Sequence, residues 1–155
     1  MPKVSVFMIL CFFFITSLSF GEGQKQSNHY VVQRMLSTGL TAVVAEGDFE
    51  PRSIGSYSIR IYEANLEYPT DYFLYGTIRP REGNIETVTI QDINGNGIEE
   101  IVVIIRSVGT GGYLSADAFQ CQSKQLKLIA SVSDLEKIAD PIKALKTISK
   151  QKDLP

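Results

Sequence analysis

Short runs of alternating apolar and polar residues recur along this chain and constrain its fold more than any other feature. The clearest run lies at 55–62, where Tyr57, Ile59 and Ile61 share one side and mostly polar residues occupy the other. A period of two places successive side chains on opposite faces of a β-strand. Further runs lie at 30–36, 40–46, 72–78, 85–90, 99–107, 113–122 and 126–132, with turn-forming residues between them. This pattern predicts an antiparallel β protein.

Two segments depart from the alternation and complete the predicted architecture. Residues 101–105 are continuously apolar, which predicts a central strand. The Asp-Pro pair at 140–141 is typical of a helix start, and Ile142, Leu145 and Ile148 recur on one side of the helix that follows. We therefore predict a mainly β fold, an antiparallel β-sandwich-like single domain with a short C-terminal α-helix.

The N-terminus has the composition of an export signal. Lys3 precedes an apolar segment at 4–15, which is shorter than the about 20 residues of a membrane span. The small residues that follow suit cleavage after Gly21 or after Ser19. We expect residues 1–21 to be a signal peptide and the mature protein to be exported and soluble, not bound to a membrane.

Removal of residues 1–21 from the 155 leaves 134, enough for one domain with a core but not for two. We expect that domain to span 22–155, with an ordered core at 28–150. Loss of Lys3 changes the formal net charge from −2 to about −3. A mildly acidic domain without a basic stripe argues against nucleic acid and against anionic membranes as partners.

Cysteine usage excludes an internal disulfide in the mature chain. Cys11 lies within the signal segment, where bulky Leu10 before it argues against a lipoprotein anchor, and Cys121 is the one cysteine that remains. Its place in an alternating run predicts burial. A homodimer is left open.

The sequence has few features that are typical of an enzyme. The sole histidine, His29, stands where the predicted domain begins, which argues against a Ser-His-Asp triad and against zinc. Asp48, Glu50, Glu100 and Asp117 could supply the carboxylate pair of a glycan hydrolase, but nothing in the sequence singles out two of them. We predict no enzymatic activity, no catalytic residues and no cofactor.

One segment has the spacing of a calcium loop. Asp92, Asn94, Asn96 and Glu100 occupy positions 1, 3, 5 and 9 around a glycine at position 6. Val103 stands where an EF-hand requires glutamate, which excludes that motif. The Asn-Gly-Asn-Gly sequence is also typical of a hairpin turn that binds no metal. We predict no metal site and keep these four residues as a weak calcium candidate.

Four arginines alternate with apolar residues or follow a predicted strand: Arg60, Arg79, Arg81 and Arg106. The Arg-Pro-Arg sequence at 79–81 is expected to end the strand at 72–78. Such arginines are typical of solvated strand faces, and the alternative is a rim that pairs with carboxylates of a protein partner.

The most unusual segment is a glycine cluster between two predicted strands. Gly109, Gly111 and Gly112 surround Thr110, and Tyr113 closes the cluster. Three glycines in four positions allow positive φ and a tight turn. The result is a thin loop that presents one hydroxyl and one aromatic ring, a shape suited to insertion into the cleft of another molecule. A plain hairpin turn is the alternative.

Several longer segments carry a family resemblance. The chain resembles the periplasmic inhibitors of i-type (invertebrate) lysozyme from Gram-negative bacteria, over nearly all of its mature length. The similarity lies in residues 45–62, 78–81, 92–97, 106–119, 131–135 and 139–141.

The resemblance implies a β-sandwich-like periplasmic domain that protects bacterial peptidoglycan by inserting a loop into the catalytic cleft of i-type lysozyme. The Ser-Gly-Gly-Tyr element of the family corresponds here to residues 110–113, with Thr110 in place of serine. Partner contacts are expected from Thr110, Gly111, Gly112 and Tyr113, together with Ser107 and Leu114. The alternative function is a periplasmic glycan-binding or calcium-dependent recognition module.

Overall fold

The computed structural model describes residues 29–152, so the predicted signal peptide and residues 22–28 and 153–155 lie outside the described residues. Eight strands and one helix follow in order: β1 (Val31–Met35), β2 (Thr41–Glu46), β3 (Gly55–Tyr62), β4 (Phe73–Arg81), β5 (Asn84–Gln91), β6 (Glu100–Arg106), β7 (Leu114–Gln122), β8 (Gln125–Leu135) and α1 (Pro141–Lys152). This architecture confirms the predicted fold class. No helix in the described part of the chain is long and apolar enough to cross a membrane.

The strands form two antiparallel four-stranded sheets, and each sheet follows chain order, β1–β4 in sheet 1 and β5–β8 in sheet 2. The first hydrophobic core lies between the sheets. Val44, Tyr57 and Ile59 contribute to it from sheet 1, and Val103 and Phe119 from sheet 2. The alternating runs of the sequence therefore mark the faces that meet in this core.

A second core covers the other face of sheet 2. Val102 and Ile104 of β6 and Ala118 of β7 pack there around Leu145 of α1, which is fully buried. β6 thus contributes odd-numbered residues to the first core and even-numbered residues to the second. This confirms the prediction that the apolar run at 101–105 forms an interior strand.

The helix begins as the sequence predicts, but its buried side is rotated. Asp140 accepts a hydrogen bond from Lys143 N at 3.1 Å, as an N-cap residue does. Ile142 and Leu145 pack inward, whereas Ile148 is 39% exposed and Ser149 is buried instead. An α-helix turns about 100° per residue, so the seventh residue after Ile142 returns to its side and the sixth does not.

Two further predictions need correction or refinement. Arg79–Arg81 does not end β4, which continues through Pro80 to Arg81. β4 is an edge strand of sheet 1, and a proline is tolerated at such an edge because an amide there need not donate to the sheet. Cys121 is half-buried against the first core, and burial raises the pKa of its thiol.

A buried carboxylate ties the two sheets together. Asp117 of β7 accepts hydrogen bonds of 2.6 Å from the Tyr57 hydroxyl of β3 and from the Ser131 hydroxyl of β8. The Arg79 guanidinium of β4 lies 3.7 Å from the same carboxylate. Burial, followed by the nearby charge of Asp117, raises the pKa of Tyr57 far above its usual range, so the phenol remains a donor.

We expect Tyr57→Phe to destabilise the fold by about 1–3 kcal/mol, the cost of leaving a buried partner without its hydrogen bond. Urea denaturation of the purified variant measures this directly. Tyr68→Phe is the matched control, because Tyr68 is 55% exposed. Equal denaturation midpoints for the two variants would contradict the role given to this hydrogen bond.

Candidate partner-binding site

The glycine cluster forms a narrow loop that joins the adjacent antiparallel strands β6 and β7. We call residues 107–113 the tip. Its base is closed by a hydrogen bond of 2.9 Å from Ser107 N to Tyr113 O, and its interior by one of 3.1 Å from Gly112 N to Gly109 O. These two bonds hold the tip as a compact turn that projects beyond the ends of both strands.

The glycines of the tip serve different purposes, and one of them uses the positive φ that glycine allows. Of the three, Gly112 alone has a positive φ, at 55°. A Cβ on Gly111 would lie 2.4 Å from the Tyr113 ring, so this glycine lets the ring lie directly against the backbone. A Cβ on Gly109 would meet nothing within 4 Å. Backbone conformation therefore favours glycine at 112, whereas glycine at 111 allows the close approach of the exposed Tyr113 ring.

A guanidinium clamps the tip to the neighbouring strand. Arg106, at the end of β6, donates from Nη1 to Gly112 O at 2.9 Å and from Nη2 to Glu86 Oε1 at 2.9 Å, and its Nε donates to the other carboxylate oxygen. Hydrogen bonding to Glu86 raises the pKa of Arg106. Glu86 is the extra residue of a β-bulge in β5, a feature that re-aims a side chain.

The structure places all six residues predicted to contact a partner on this one loop and its base, but not all of them face outward. Thr110 is exposed and Tyr113 is 51% exposed. Gly112 is buried, and Leu114 is only 3% exposed because its side chain packs in the second core. The buried Ser107 hydroxyl has no hydrogen-bond partner among the described residues.

Sequence reasoning missed other residues around the tip. Val108 is 55% exposed beside Thr110, and the Lys137 side chain lies next to Gly112. Glu86 looked like one member of a regular strand. Of these three residues, only Val108 could have been found from the sequence, because it adjoins the glycine cluster. Lys137 and Glu86 come from distant segments of the chain.

The calcium candidate uses its oxygens within its own loop. Asp92 accepts hydrogen bonds from Gly95 N at 2.7 Å and Gly97 N at 2.9 Å, and these bonds lower the pKa of its carboxyl. The side-chain oxygens of Asn94 and Asn96 accept from the amides two residues on. This pattern belongs to a hairpin turn stabilised by asparagine and aspartate side chains.

Glu100, the fourth calcium candidate, does not join the other three. Its side chain is fully buried, accepts hydrogen bonds of 2.7 Å from Ile93 N and Gln120 Nε2, and has a pKa raised by burial. Within residues 29–152, no three His, Cys, Asp or Glu side chains form a group that could hold a metal ion. Glu100 instead supports the base of the turn.

The other candidate acidic residues and arginines have separate positions. Glu50 accepts hydrogen bonds from Ser56, and Asp117 from Tyr57 and Ser131. Arg60 is exposed, as predicted for a solvated strand face. Arg81, in contrast, is buried: its side chain is only 1% exposed, and its guanidinium lies 3.9 Å from the Glu46 carboxylate. The prediction of a solvated rim is wrong for that residue.

His29 lines a cavity of about 360 Å³ with Glu46, Glu50, Arg52 and Arg81.

Comparison with known proteins gives a consistent family assignment. The model of a family described as periplasmic lysozyme inhibitor of I-type lysozyme (PliI) matches residues 28–149. The crystal structure of the periplasmic inhibitor of I-type lysozyme from Aeromonas hydrophila is 39% identical with a TM-score of 0.71, over 75% of this chain and 98% of that one. The Aeromonas hydrophila inhibitor in complex with Meretrix lusoria lysozyme is 40% identical with a TM-score of 0.70, over 76% and 95%. No curated protein sequence matches this chain.

We expect Gly112→Ala to destabilise the protein by about 1–2 kcal/mol, because an L-residue with a side chain is strained at positive φ. Gly109→Ala is the matched control in the same loop, since its φ is not positive and its surroundings are open. It should change stability by less than about 0.5 kcal/mol. Chemical denaturation of both variants checks the difference, and a destabilised Gly109→Ala with an unaffected Gly112→Ala would contradict this account of the tip.

Proposed function

We propose a mode of action for this chain from the premise that it belongs to the family of periplasmic lysozyme inhibitors of I-type lysozyme. Its family makes it a periplasmic lysozyme inhibitor. It acts by inserting the tip into the catalytic cleft of an i-type lysozyme, where it blocks access of the peptidoglycan strand. The observation that carries this proposal is the projecting tip itself, with exposed Thr110 and Tyr113 on a backbone held rigid from below.

The shape of the tip suits a cleft that normally receives a sugar chain. Gly111 adds no side chain, and the Tyr113 ring lies close to it with half of its surface open. A flat aromatic ring can occupy a sugar-binding position, and large aromatic side chains commonly dominate the energy of protein interfaces. The tip therefore presents one broad anchor on a narrow support.

The chemistry of the tip suits the acidic centre of such an enzyme. A lysozyme cleft holds two carboxyl groups, one protonated and one ionised, beside the bond to be cleaved. The Thr110 and Tyr113 hydroxyls can donate hydrogen bonds to carboxylate oxygens, and hydrogen bonds to charged groups are among the stronger ones.

Preorganisation lowers the entropy lost on binding. The clamp of Arg106 on Gly112 and Glu86, together with the bond that closes the base at Ser107, fixes the tip before it meets the enzyme. An ordered loop loses less conformational freedom on association than a mobile one. The contact is thus a stoichiometric blockade that involves no bond making and no cofactor.

Tyr113→Ala should weaken binding to i-type lysozyme by at least about 2 kcal/mol, or about thirtyfold in Kd, because it removes the main anchor. Calorimetric titration of a purified i-type lysozyme with the mature protein measures the change. Tyr68→Ala is the control, since Tyr68 is equally exposed but lies in the β3–β4 connection. Undiminished inhibition by a folded Tyr113→Ala protein would refute the proposed tip contact.

The threonine at position 110 allows the hydroxyl and the methyl group to be tested separately. Thr110→Val keeps the shape but removes the donor, and should weaken inhibition by about tenfold, as expected for a hydrogen bond to a charged group. Thr110→Ser keeps the donor and restores the residue of the family element, and should retain inhibition. Steady-state inhibition assays with both variants check this. Full inhibition by Thr110→Val combined with a loss in Thr110→Ser would assign the contact to the methyl group instead.

A further inference from the structure

The loop between β2 and β3 exposes apolar side chains in a conformation that stability alone does not explain. We call residues 47–54 the flanking loop. Phe49 is 76% exposed and has a φ of 62°, and Ile54 is 66% exposed. A bulky residue rarely adopts positive φ, and this one gains no burial in return. An aromatic ring kept on the surface in a strained conformation is a mark of a contact residue.

We propose that the flanking loop is a second contact surface for the target lysozyme, with Phe49 as its anchor on the rim of the cleft that receives the tip. This proposal rests on the proposed function, because it assigns a further part of the same interface. The occupant is an apolar position on the enzyme surface beside its catalytic cleft.

The flanking loop is built as a rigid element rather than a loose connection. Glu50 accepts hydrogen bonds from the backbone amide of Ser56 and, at 2.8 Å, from its hydroxyl. Gly47 N donates to Ser56 O at 3.0 Å and closes the base of the loop. The bond from the Ser56 amide is the first cause of the lowered pKa of Glu50, so the carboxylate stays ionised and keeps these contacts at neutral pH.

A buried arginine holds the flanking loop from beneath. Arg81 donates to Pro51 O at 3.2 Å, to Arg52 O at 3.0 Å and to Ser56 O at 3.0 Å, and Glu46 and Glu50 each lie 3.9 Å from its guanidinium. Its side chain is 1% exposed. Burying a charge is costly unless its hydrogen bonds are satisfied, so this network fixes the backbone that carries Phe49 and Ile54.

The same arginine connects the flanking loop to the tip. Arg81 also donates to Gly83 O in the β4–β5 turn. A Cβ on Gly83 would lie 2.1 Å from Arg106 O and 2.8 Å from Ser107 Cα, so this turn packs against the base of the tip. Arg52 reaches Asn84, the residue paired with Arg106, at 3.3 Å. The two loops therefore belong to one end of the molecule and are connected through the β4–β5 turn and the start of β5.

The tip is smaller than a typical protein interface, so binding of the lysozyme requires contacts from other loops as well. A specific protein interface commonly involves about 20–30 residues on each side. The tip spans only residues 107–113, and part of it is buried within the inhibitor. Loops beside the tip at the same end of the molecule must supply the remaining contacts, and the flanking loop offers two exposed apolar residues for that purpose.

Phe49→Asn tests the proposal without disturbing the fold, because asparagine tolerates positive φ better than phenylalanine does. We expect its melting temperature to equal or exceed that of the unaltered protein and its Kd for i-type lysozyme to rise about tenfold, as for a residue that anchors an interface. Ile54→Ser should weaken binding in the same direction. Leu66→Asn is the control, since Leu66 is 86% exposed in the β3–β4 connection, and it should bind as the unaltered protein does.

Tyr113→Ala in the same titration separates this proposal from the proposed function. Weak binding by Tyr113→Ala together with unchanged Kd values for Phe49→Asn and Ile54→Ser would overturn the second contact and leave the tip contact in place. Unchanged binding by Tyr113→Ala, or no binding of i-type lysozyme by the unaltered protein, would overturn the proposed function and the second contact with it.

Discussion

The structure depends on the burial of β6 on both of its faces. One face of this strand lies in the core between the sheets, and the other lies in the core beneath α1. A strand enclosed in this way cannot move without disturbing both cores, because protein interiors are close-packed. The tip begins where β6 ends, at Arg106, so the proposed contact loop is mounted on the most enclosed element of the described fold. Sites supported by rigid elements keep their geometry better than sites on mobile loops.

Two arginines extend this rigidity to the surface loops. Arg106 and Arg81 each donate to backbone carbonyl oxygens of a loop while a carboxylate lies beside the guanidinium. A guanidinium has five donors in a fixed planar arrangement, which lysine cannot reproduce. One arginine therefore fixes the tip and the other fixes the flanking loop. Both loops project from the same end of the sandwich, where an enzyme could contact them together.

The sequence predicted most of the fold because its signals are local. Alternation marked the strands, the apolar run at 101–105 marked the central one, and Asp140 marked the start of the helix. These signals work because each reflects the burial or hydrogen bonding of the residue itself. The tip was also found locally, since a glycine cluster between two strands needs no knowledge of distant residues.

The features that the sequence did not predict depend on contacts between distant segments. Arg81 follows a proline and looked like a charged strand end, but it donates to carbonyl oxygens in the β2–β3 connection and at the start of β3, 25–30 residues away. Glu86 reaches Arg106 only because a bulge redirects it, and Leu114 turned inward although it adjoins the exposed tip. Such pairings are set by how the sheets meet, so periodicity within one strand does not contain them.

The central claim is that the tip and a glycan compete for the same cleft. The most direct measurement is the apparent Kd between the mature protein and an i-type lysozyme in rising concentrations of an oligosaccharide that occupies the catalytic cleft. Competition for one site predicts that the apparent Kd rises linearly with the concentration of oligosaccharide. An apparent Kd that stays constant at saturating oligosaccharide would mean that both ligands bind at once, which would contradict insertion of the tip into the cleft.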